Sequence, residues 1–419
     1  MSRTRTGMQH PDAGRSRSAR TRAAGVGAVA LAAVLAACGG GAGSSAGPST
    51  SSTSATPSET GPGAATPALL PLGPGERRIT LALPHGTYRP SAPHGGTDDY
   101  QCFLLDPHLA SSAYITGIAF QPGNRAIVHH AILYRATAAQ VPAARAKDAA
   151  SGGNGWTCFG DPGLPAGPQD PIATLDQAPW LAAWAPGTGE QLFPPGTGMP
   201  VEAGSMIVLQ VHYNLRFDPG STATDHSTVS LRLAPGSAAL RPLHTTLLVA
   251  PVELPCAPGQ TGPLCDRGLS ILDLMSRFGP QAGATVAGLQ LLCGGTSLTA
   301  PQAGPTQSCD RVVQDRATIV AVAGHMHLLG RSIRIELNPG TPTARVLLWR
   351  PVWNFDDQRA QLLSPPVTVV PGDVLRLTCT HDATLRDRLP ELRGLPERYV
   401  TWGEGTTDEM CLGILLETS

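Results

Sequence analysis

Short apolar runs separated by turn-forming residues constrain this chain more than any other feature of its sequence. Pro-Gly pairs recur, for example at 122–123, 195–196, 219–220, 235–236, 339–340 and 371–372. Glycine (48 residues) and proline (40) together make about a fifth of the 419 residues. Both residue types interrupt helices and favour turns. The chain is therefore expected to form many short elements rather than long helices.

The apolar runs between these turns have the length and composition of β-strands. Several alternate apolar and polar residues and are enriched in β-branched residues, as half-buried strands are. The runs lie at 79–83, 114–120, 126–134, 205–213, 228–233, 245–252, 318–323, 332–337, 344–349, 367–370 and 374–380. Helical periodicity is rare, with 270–278 the best candidate and 137–150 a weaker one. The pattern predicts an all-β chain of the sandwich or jelly-roll class.

The sequence suggests a leader, a linker and a folded part that starts near Glu76. A boundary near 235–245 would divide the folded part into halves of comparable size, 76–238 and 239–419. A Gly/Pro-rich connection at 140–200 interrupts the strand pattern, and connections of that length tend to be functional or disordered. A second interruption at 255–312 holds four cysteines and is interpreted as a disulfide-stapled insertion.

The first 38 residues have the composition of an export signal. Six arginines precede a small apolar stretch at 23–37, which is too short to span a membrane. The stretch ends in Leu35-Ala36-Ala37-Cys38, which resembles a bacterial lipobox, in which the cysteine is lipidated. Ordinary signal cleavage with an incidental Cys38 is the alternative. Residues 39–75 are rich in Gly, Ser, Thr, Ala and Pro, so they are expected to form a disordered tether.

These features predict an exported lipoprotein, held on a bacterial membrane by its lipid anchor alone and facing the cell surface or periplasm. The formal net charge of −1 gives no electrostatic footprint for nucleic acid. Apart from Cys38 there are eight cysteines, an even number that predicts up to four disulfides in an exported chain. Spacing alone does not pair them: Cys102, Cys158, Cys256, Cys265, Cys293, Cys309, Cys379 and Cys411. The chain is expected to be a monomer.

Three histidines in apolar runs form the first candidate metal site. His129 and His130 are adjacent, and neighbouring residues of a regular strand point to opposite faces. Both rings reach one ion only if the strand is bulged or ends there. His212 shares a strand face with Gln210, while Leu209, Val211 and Tyr213 form an apolar face. Taken singly, each histidine is as well explained as a core or surface residue.

The second candidate site combines His325, His327 and Met410. A His-x-His pair on a strand places both rings on one face, so two ligands converge on one ion without distortion. Met410 lies in Asp408-Glu409-Met410-Cys411, and a thioether is a soft ligand that prefers Cu(I). On its own Met410 would be interpreted as core packing. Histidines with a thioether and no carboxylate favour copper over zinc or non-haem iron.

Together and in this order, these motifs resemble the copper type II, ascorbate-dependent monooxygenases, over roughly 76–419. The family pattern is a His-His pair, a His-Tyr strand, a His-x-His and an Asp-Glu-Met-Cys segment. The chain supplies these as His129-His130, His212-Tyr213, His325/His327 and 408–411. The resemblance implies two tandem jelly-roll β-sandwich domains with one copper each and a water-filled cleft between them. It also implies a disulfide between Cys379 and Cys411.

The resemblance further implies a division of labour between the two sites. His129, His130 and His212 would store an electron, and His325, His327 and Met410 would be the catalytic site that binds O2 beside the substrate. Ascorbate or a similar one-electron reductant would act as co-substrate, and a small organic molecule would be hydroxylated at an aliphatic C–H bond. Gln210 is a candidate for ordering the path between the sites, with an ordinary polar strand residue as the alternative.

Three positions depart from the peptidylglycine branch of the family. Polar groups that hold a substrate carboxylate there are replaced by Ala323, Leu412 and Ile414. An unpaired carboxylate in an apolar pocket is costly, so a peptidylglycine substrate is disfavoured. The segment 353–358 could line the substrate cleft, although core aromatics at a strand end are the preferred interpretation. A copper-scavenging lipoprotein and a structural sandwich module are the competing functions.

Overall fold

The computed structural model describes residues 68–92, 97–165, 178–216, 222–295, 297–298 and 300–419. The predicted signal segment with Cys38, and the linker up to residue 67, lie outside the described residues. Within these ranges most of the regular structure is β-strand, so the predicted all-β, two-sandwich class is confirmed. No helix in the described ranges is both long and apolar enough to cross a membrane.

The strands of the first half are short, as the turn spacing predicted. They are β1 (Arg77–Ala82), β2 (Asp98–Leu105), β3 (Ala113–Gln121), β4 (Val128–Ala136), β5 (Trp156–Thr157), β6 (Trp180–Trp184), β7 (Gln191–Leu192), β8 (Thr197–Val201), β9 (Met206–Asn214) and β10 (Thr228–Pro235). The helix α1 (Val141–Ala150) lies between β4 and β5.

The second half adds ten strands and two helices among the described residues. The strands are β11 (Arg241–Val249), β12 (Glu253–Leu254), β13 (Thr306–Val312), β14 (Ala317–His325), β15 (Gly330–Leu337), β16 (Arg345–Arg350), β17 (Gln361–Val369), β18 (Val374–His381), β19 (Val400–Thr401) and β20 (Leu412–Thr418). The helices are α2 (Arg267–Phe278) and α3 (Pro280–Leu292), and short 3-10 turns lie at Pro84–Gly86, Pro263–Cys265 and Ala383–Asp387.

The first sandwich packs strands β1, β10, β3 and β8 over the five-stranded sheet β5-β2-β9-β4-β6. Its core contains residues from both layers, such as Ile115 and Leu231 against Phe103 and Leu209. Strand β9 is buried on both faces: Leu209, Val211 and Tyr213 point into this core, as their alternation predicted. The opposite face of β9, which carries His212, is buried as well, and its Val208 packs with Ala144 of α1 and with Cys158.

The second sandwich packs β11, β20, β14 and β17 over the four-stranded sheet β13-β18-β15-β16. Its core includes Ile319 and Leu415 from one layer and Ile333 and Leu377 from the other. A two-residue parallel pairing of β8 with β11 joins one layer of each sandwich into a single sheet, whose ninth strand is β7, paired with β3. The proposed boundary near 238 falls in the turn between β10 and β11 and remains a prediction.

Sequence patterning missed some elements for identifiable reasons. Helix α3 has apolar residues on all sides and two internal glycines, so it lacks the periodicity that reveals a surface helix. Strand β2 begins with two aspartates and was not recognised as apolar. Helix α2 begins at Arg267, where the Asp266 side chain accepts the backbone N–H of Leu269 and caps it.

All eight cysteines outside the leader form disulfides, as their even number predicted. The pairs are Cys102–Cys158, Cys256–Cys265, Cys293–Cys309 and Cys379–Cys411. The last pair is the one that the resemblance implied. Two pairs lie within the segment 255–312 and flank α2 and α3, so this segment is a helical insertion stapled at both ends. Four disulfides are typical of an exported protein.

Candidate metal centres

A bulge in strand β4 brings the adjacent histidines onto one side of the sheet. Val128 pairs with Tyr213 and His130 pairs with His212, so His129 is an extra residue with no partner position on β9. An extra residue reorients the local backbone and lets neighbouring side chains point the same way. The condition that the sequence set for His129 and His130 to share one ion is therefore met.

The three imidazoles turn their Nδ1 atoms toward one another. The Nδ1 of His129 lies 3.3 Å from that of His130 and 3.1 Å from that of His212. The Nδ1 atoms of His130 and His212 are 3.2 Å apart. Three nitrogens bound at about 2.0–2.1 Å to one tetrahedral ion lie at roughly 3.3 Å from one another. The spacing therefore fits three ligands of one metal ion, and these residues form a metal-competent group.

Asp98 fixes the orientation of His212, and sequence reasoning did not identify it. Its Oδ1 lies 2.7 Å from Nε2 of His212, so we assign the proton to Nε2 and leave the Nδ1 lone pair facing the cluster. The Thr406 hydroxyl, from the second half of the chain, donates to the same oxygen at 2.7 Å. Burial alone would raise the pKa of Asp98, but His212 and Thr406 hold it well below its usual range.

Two rings of the first cluster, those of His129 and His130, are kept neutral by their surroundings. Burial, followed by the neighbouring imidazoles, lowers the pKa of His129 and His130 far below the ordinary histidine value. Tyr100 stacks on His212 with ring centroids 4.1 Å apart, and Phe355 from the second half stacks on His129 at 5.3 Å. Neutral imidazoles with available lone pairs are the form that binds metal ions.

The second cluster begins where β14 ends. The Nδ1 of His325 lies 2.6 Å from Oε1 of Gln358, and the Nδ1 of His327 lies 3.1 Å from the backbone oxygen of Asp408. Both contacts assign the ring proton to Nδ1 and leave Nε2 as the free lone pair. Within the described residues, Nε2 of His327 is buried without a hydrogen-bond partner. A buried nitrogen of this kind is costly unless a ligand satisfies it.

Met410 is held beside these histidines by covalent and polar contacts. It precedes Cys411, which is tied to Cys379 on β18, and its side chain is 7% exposed. The Glu409 carboxylate accepts the backbone N–H of His327 at 2.8 Å and that of Met410 at 3.2 Å. The Nε2 of His381 lies 3.2 Å from the Met410 backbone oxygen. The methionine segment (408–411) is therefore held against the His-x-His segment (325–327) by these hydrogen bonds.

Burial also keeps the second pair of histidines neutral. Burial, followed by the neighbouring His327, lowers the pKa of His325 to about 4, against the opposing effect of Gln358. Burial lowers the pKa of His327 as well, although Glu409 and the Asp408 backbone act in the opposite direction. The three histidines of the first candidate site therefore lie together. The rings of His325 and His327 are 5.2 Å apart at their centroids, and the Asp408 backbone beside Met410 contacts His327. That these residues bind metal stays a prediction.

A cavity of about 280 Å³ touches both clusters. It is lined by His130 of the first cluster and by His325 and Met410 of the second. The rings of His130 and His325 are 6.4 Å apart at their centroids. His130 of the first cluster and His325 of the second therefore lie close to each other at this cavity, which is where the resemblance implied a water-filled cleft.

Other residues singled out from the sequence have mixed positions. Phe355 and Gln358 line the cavity, so the segment 353–358 contributes to the cleft and the preferred core interpretation was wrong for these two residues. Ile414 also lines the cavity, whereas Leu412 packs in the core of the second sandwich. The amide nitrogen of Gln210 contacts the Cys158 sulfur at 3.4 Å, which gives it a structural partner instead of a place between the clusters.

The fold and the clusters define a class of protein. It has two β-sandwiches, a three-histidine cluster on one, the His-x-His and methionine segments on the other, and a cavity that is lined by residues of both. The N-terminal domain of the copper type II ascorbate-dependent monooxygenases matches residues 91–217, and the C-terminal domain of the same family matches residues 301–416. These matches cover more than half of the chain, which belongs to this family of copper- and ascorbate-dependent oxidoreductases.

Two curated relatives agree with this assignment. DBH-like monooxygenase protein 1 from Gallus gallus is 33% identical over 99 residues, which is 23% of this chain and 14% of that protein. MOXD1 homolog 1 from Drosophila melanogaster is 23% identical over 243 residues, or 55% of this chain and 27% of that protein. The chain thus matches less than a third of either relative's length.

Solved structures give only a remote likeness. An allantoicase structure covers 73% of this chain and 86% of its own, at 12% identity and a TM-score of 0.17. A Paenibacillus xanthan lyase covers 80% and 25%, at 10% identity and a TM-score of 0.17. Scores this low carry no argument about fold or activity.

Proposed function

We propose that this protein is a copper monooxygenase that hydroxylates an aliphatic C–H bond of a small organic molecule with O2. The observation that carries the proposal is the placement of two different ligand clusters on the walls of one cavity. A scavenger or carrier of copper needs one tight site and no cavity between two sites. Two facing clusters with a weak thioether ligand in one of them suit redox turnover better than storage.

The residues present fit two copper ions per chain. His129, His130 and His212 would hold one ion through Nδ1, and His325 and His327 would hold the other through Nε2 together with Met410. Bound copper would supply one-electron redox chemistry and O2 activation. Soft sulfur at Met410 favours Cu(I), the form that reacts with O2, and the buried Nε2 of His327 would gain the partner that it needs.

The electron count of hydroxylation requires both clusters. One oxygen atom enters the C–H bond and the other leaves as water, which takes two electrons and two protons from outside the substrate. Each cluster would store one electron, delivered by ascorbate or a reductant of the same one-electron class. The close approach of His130 and His325 supports transfer across the cavity without a long protein path.

The substrate is proposed to be small and to lack a carboxylate. Ile414 and Ala323 stand where the peptidylglycine branch carries polar groups, and Ile414 lines the cavity. The cavity walls include Trp184, Phe193 and Phe355, so apolar surface dominates. A peptidylglycine carboxylate would be buried there without a partner.

The proposal includes an exported location. Four disulfides support an oxidising compartment. The end of the predicted linker 39–75 is packed on the fold, where Arg232 donates to the Pro71 backbone oxygen at 2.7 Å, so only the part before residue 68 is proposed as a tether. Attachment to a bacterial membrane through lipidated Cys38 remains a proposal from sequence, as does the monomeric state. Mass measurement of the mature N-terminus from membranes would show the lipidated cysteine or an unmodified cleavage product.

The test of the function is a copper and oxygen balance on the full chain. We expect two coppers per chain, ascorbate-driven O2 uptake with an apolar substrate panel, and a product that carries oxygen from isotope-labelled O2. Met410→Ala should abolish labelled product. Absence of bound copper would refute the proposed monooxygenase function, and two coppers without labelled product would favour a copper-binding lipoprotein. The label is required because loosely bound copper also consumes O2 with ascorbate.

A further inference from the structure

A buried carboxyl group lies in the wall of the shared cavity and has no role in either metal cluster. Glu404 lies in the segment between β19 and β20, is 8% exposed, and lines the cavity together with His130, His325 and Met410. The Tyr100 hydroxyl donates to its backbone oxygen, which holds the segment against the first sandwich. The position of the carboxyl is thus fixed by both halves of the molecule.

The carboxyl is packed against backbone. A side chain at Gly160 would collide with it, and Gly160 has φ of +72°, a conformation that glycine adopts most readily. The backbone N–H of Gly160 donates to the Glu404 carboxyl. The Glu404 carboxyl therefore fits in this position only because residue 160 has no side chain.

No cation among the described residues neutralises Glu404. Its charged neighbours are the carboxylates Asp161 and Asp408, and Asp408 is already paired with Arg277 at 2.8 Å. The phenol of Tyr134 lies nearby as a further ionisable group. Burial, followed by the two carboxylates, raises the pKa of Glu404 to about 8. The group therefore carries its proton at neutral pH and presents an O–H donor beside a C=O acceptor.

Four of the other polar side chains on the cavity wall are engaged by protein partners. Glu190 accepts from Arg78 at 2.8 Å, and Arg359 is paired with Asp357 at 2.7 Å. Gln358 is bound to His325, and the Gln191 amide donates to the Ala183 backbone oxygen at 2.7 Å. A ligand in this cavity therefore contacts mainly apolar and aromatic surface, and the Glu404 carboxyl is available to form a hydrogen bond with it.

We propose that Glu404 anchors the substrate, and that the cavity selects uncharged apolar molecules that carry one hydroxyl or carbonyl oxygen. This inference rests on the proposed function, because it assigns the cavity to the substrate. A neutral carboxyl donates to such an oxygen and, for a hydroxyl, accepts in return. A carboxylate ligand would meet a negative potential from Asp161 and Asp408, and an ammonium ligand would find no ionised partner at Glu404.

The test measures binding to the copper-loaded full chain at neutral pH in anaerobic solution. Four compounds of one ring size are compared: methylcyclohexane, cyclohexylmethanol, cyclohexylmethylammonium and cyclohexanecarboxylate. Trp180 and Trp184 line the cavity, so tryptophan fluorescence reports occupancy without catalysis. We expect cyclohexylmethanol to bind about 3- to 10-fold more tightly than methylcyclohexane, the usual effect of one added hydrogen bond. The two ions should bind more weakly than the alcohol.

Variants assign the preference to one side chain. Glu404→Leu should bind the alcohol and the hydrocarbon equally, whereas Glu404→Gln, which keeps a donor and an acceptor, should keep most of the preference. Glu417→Gln is the matched control, because Glu417 is also a buried glutamate but does not line the cavity; its ranking should equal that of the wild type. If Glu404→Leu does not fold, the wild-type ranking and Glu404→Gln still decide.

Two results would overturn the inference. One is tighter binding of the ammonium or carboxylate compound than of the alcohol by the wild type. The other is an unchanged alcohol preference in Glu404→Leu. The isotope-label experiment is separate: its failure would remove the monooxygenase function while leaving the binding ranking intact, so the two failures are distinguishable.

Discussion

The carboxylate of Glu409 accepts the backbone N–H of His327 at 2.8 Å. One side chain of the methionine segment thereby fixes the backbone of the His-x-His segment. The same carboxylate accepts from Leu329 and lies 3.5 Å from Nε2 of His381, all in fully buried surroundings. Burial would raise the pKa of Glu409, but His381, His327 and the backbone N–H groups lower it, so the carboxylate stays ionised.

Replacing Glu409 should weaken the second cluster without affecting the first. In Glu409→Gln, an amide NH2 faces a buried backbone N–H, so we expect the free energy of unfolding to fall by about 1–3 kcal/mol. Copper affinity at the His325/His327/Met410 cluster should fall, while the three-histidine cluster keeps its copper. Chelator competition with copper counting measures this. Glu417→Gln is the control: Glu417 is also buried but accepts from Thr246, away from both clusters. Equal copper loss in both variants would contradict the prediction.

Asp98 should control the first cluster in the same way. Asp98→Asn keeps the shape but removes the charge that orients His212, so copper affinity of the three-histidine cluster should fall about 10- to 100-fold. Competition titration against a chelator would show this. The adjacent Asp99→Asn serves as control, since Asp99 accepts from Tyr88 and Ser91 instead. An unchanged affinity in Asp98→Asn would show that packing alone orients the ring.

The four disulfides should differ in their effect on copper. Removal of the Cys379–Cys411 disulfide disconnects two residues that are 32 positions apart in the sequence. It also releases the start of β20, next to Met410, from β18. We expect the double alanine variant to lose about 2–5 kcal/mol and to load copper poorly at the second cluster. The pair Cys256–Cys265, 9 residues apart, should cost stability without changing copper. Thermal unfolding and metal analysis on both variants test this, and a copper defect in the second variant would speak against it.

Glu404 should make stability depend on pH in a predictable direction. Its pKa is raised from 4.5 to about 8 on folding, so the folded state binds its proton more tightly. This favours folding at acidic pH, and the advantage is lost as pH rises from about 4.5 through about 8. Glu404→Gln cannot ionise, so its melting temperature should exceed that of the wild type by a margin that grows over this window. A margin that is constant with pH would mean that Glu404 is ionised in the folded protein.

The candidate ligands could be predicted from sequence because each lies in a motif whose spacing carries the chemistry. His325 and His327 share a strand face by simple alternation, and the order of four weak motifs gave the family. Asp98 and Glu404 could not be found in this way. An aspartate before an apolar run and a glutamate between glycines resemble ordinary turn residues, and their burial results from contacts with residues more than 200 positions away, such as Thr406 for Asp98.

The sequence by itself determined the all-β class and the even set of disulfide-forming cysteines, and it predicted six candidate ligands, because turn chemistry, strand alternation and metal-ligand preference are local. Only the tertiary structure decided how these pieces combine. It inserted His129 as a bulge, aimed three Nδ1 atoms at one point, and brought the rings of His130 and His325 to 6.4 Å across one cavity. The first two results depend on the pairing of β4 with β9, and the third on the packing of one sandwich against the other; no local pattern encodes either.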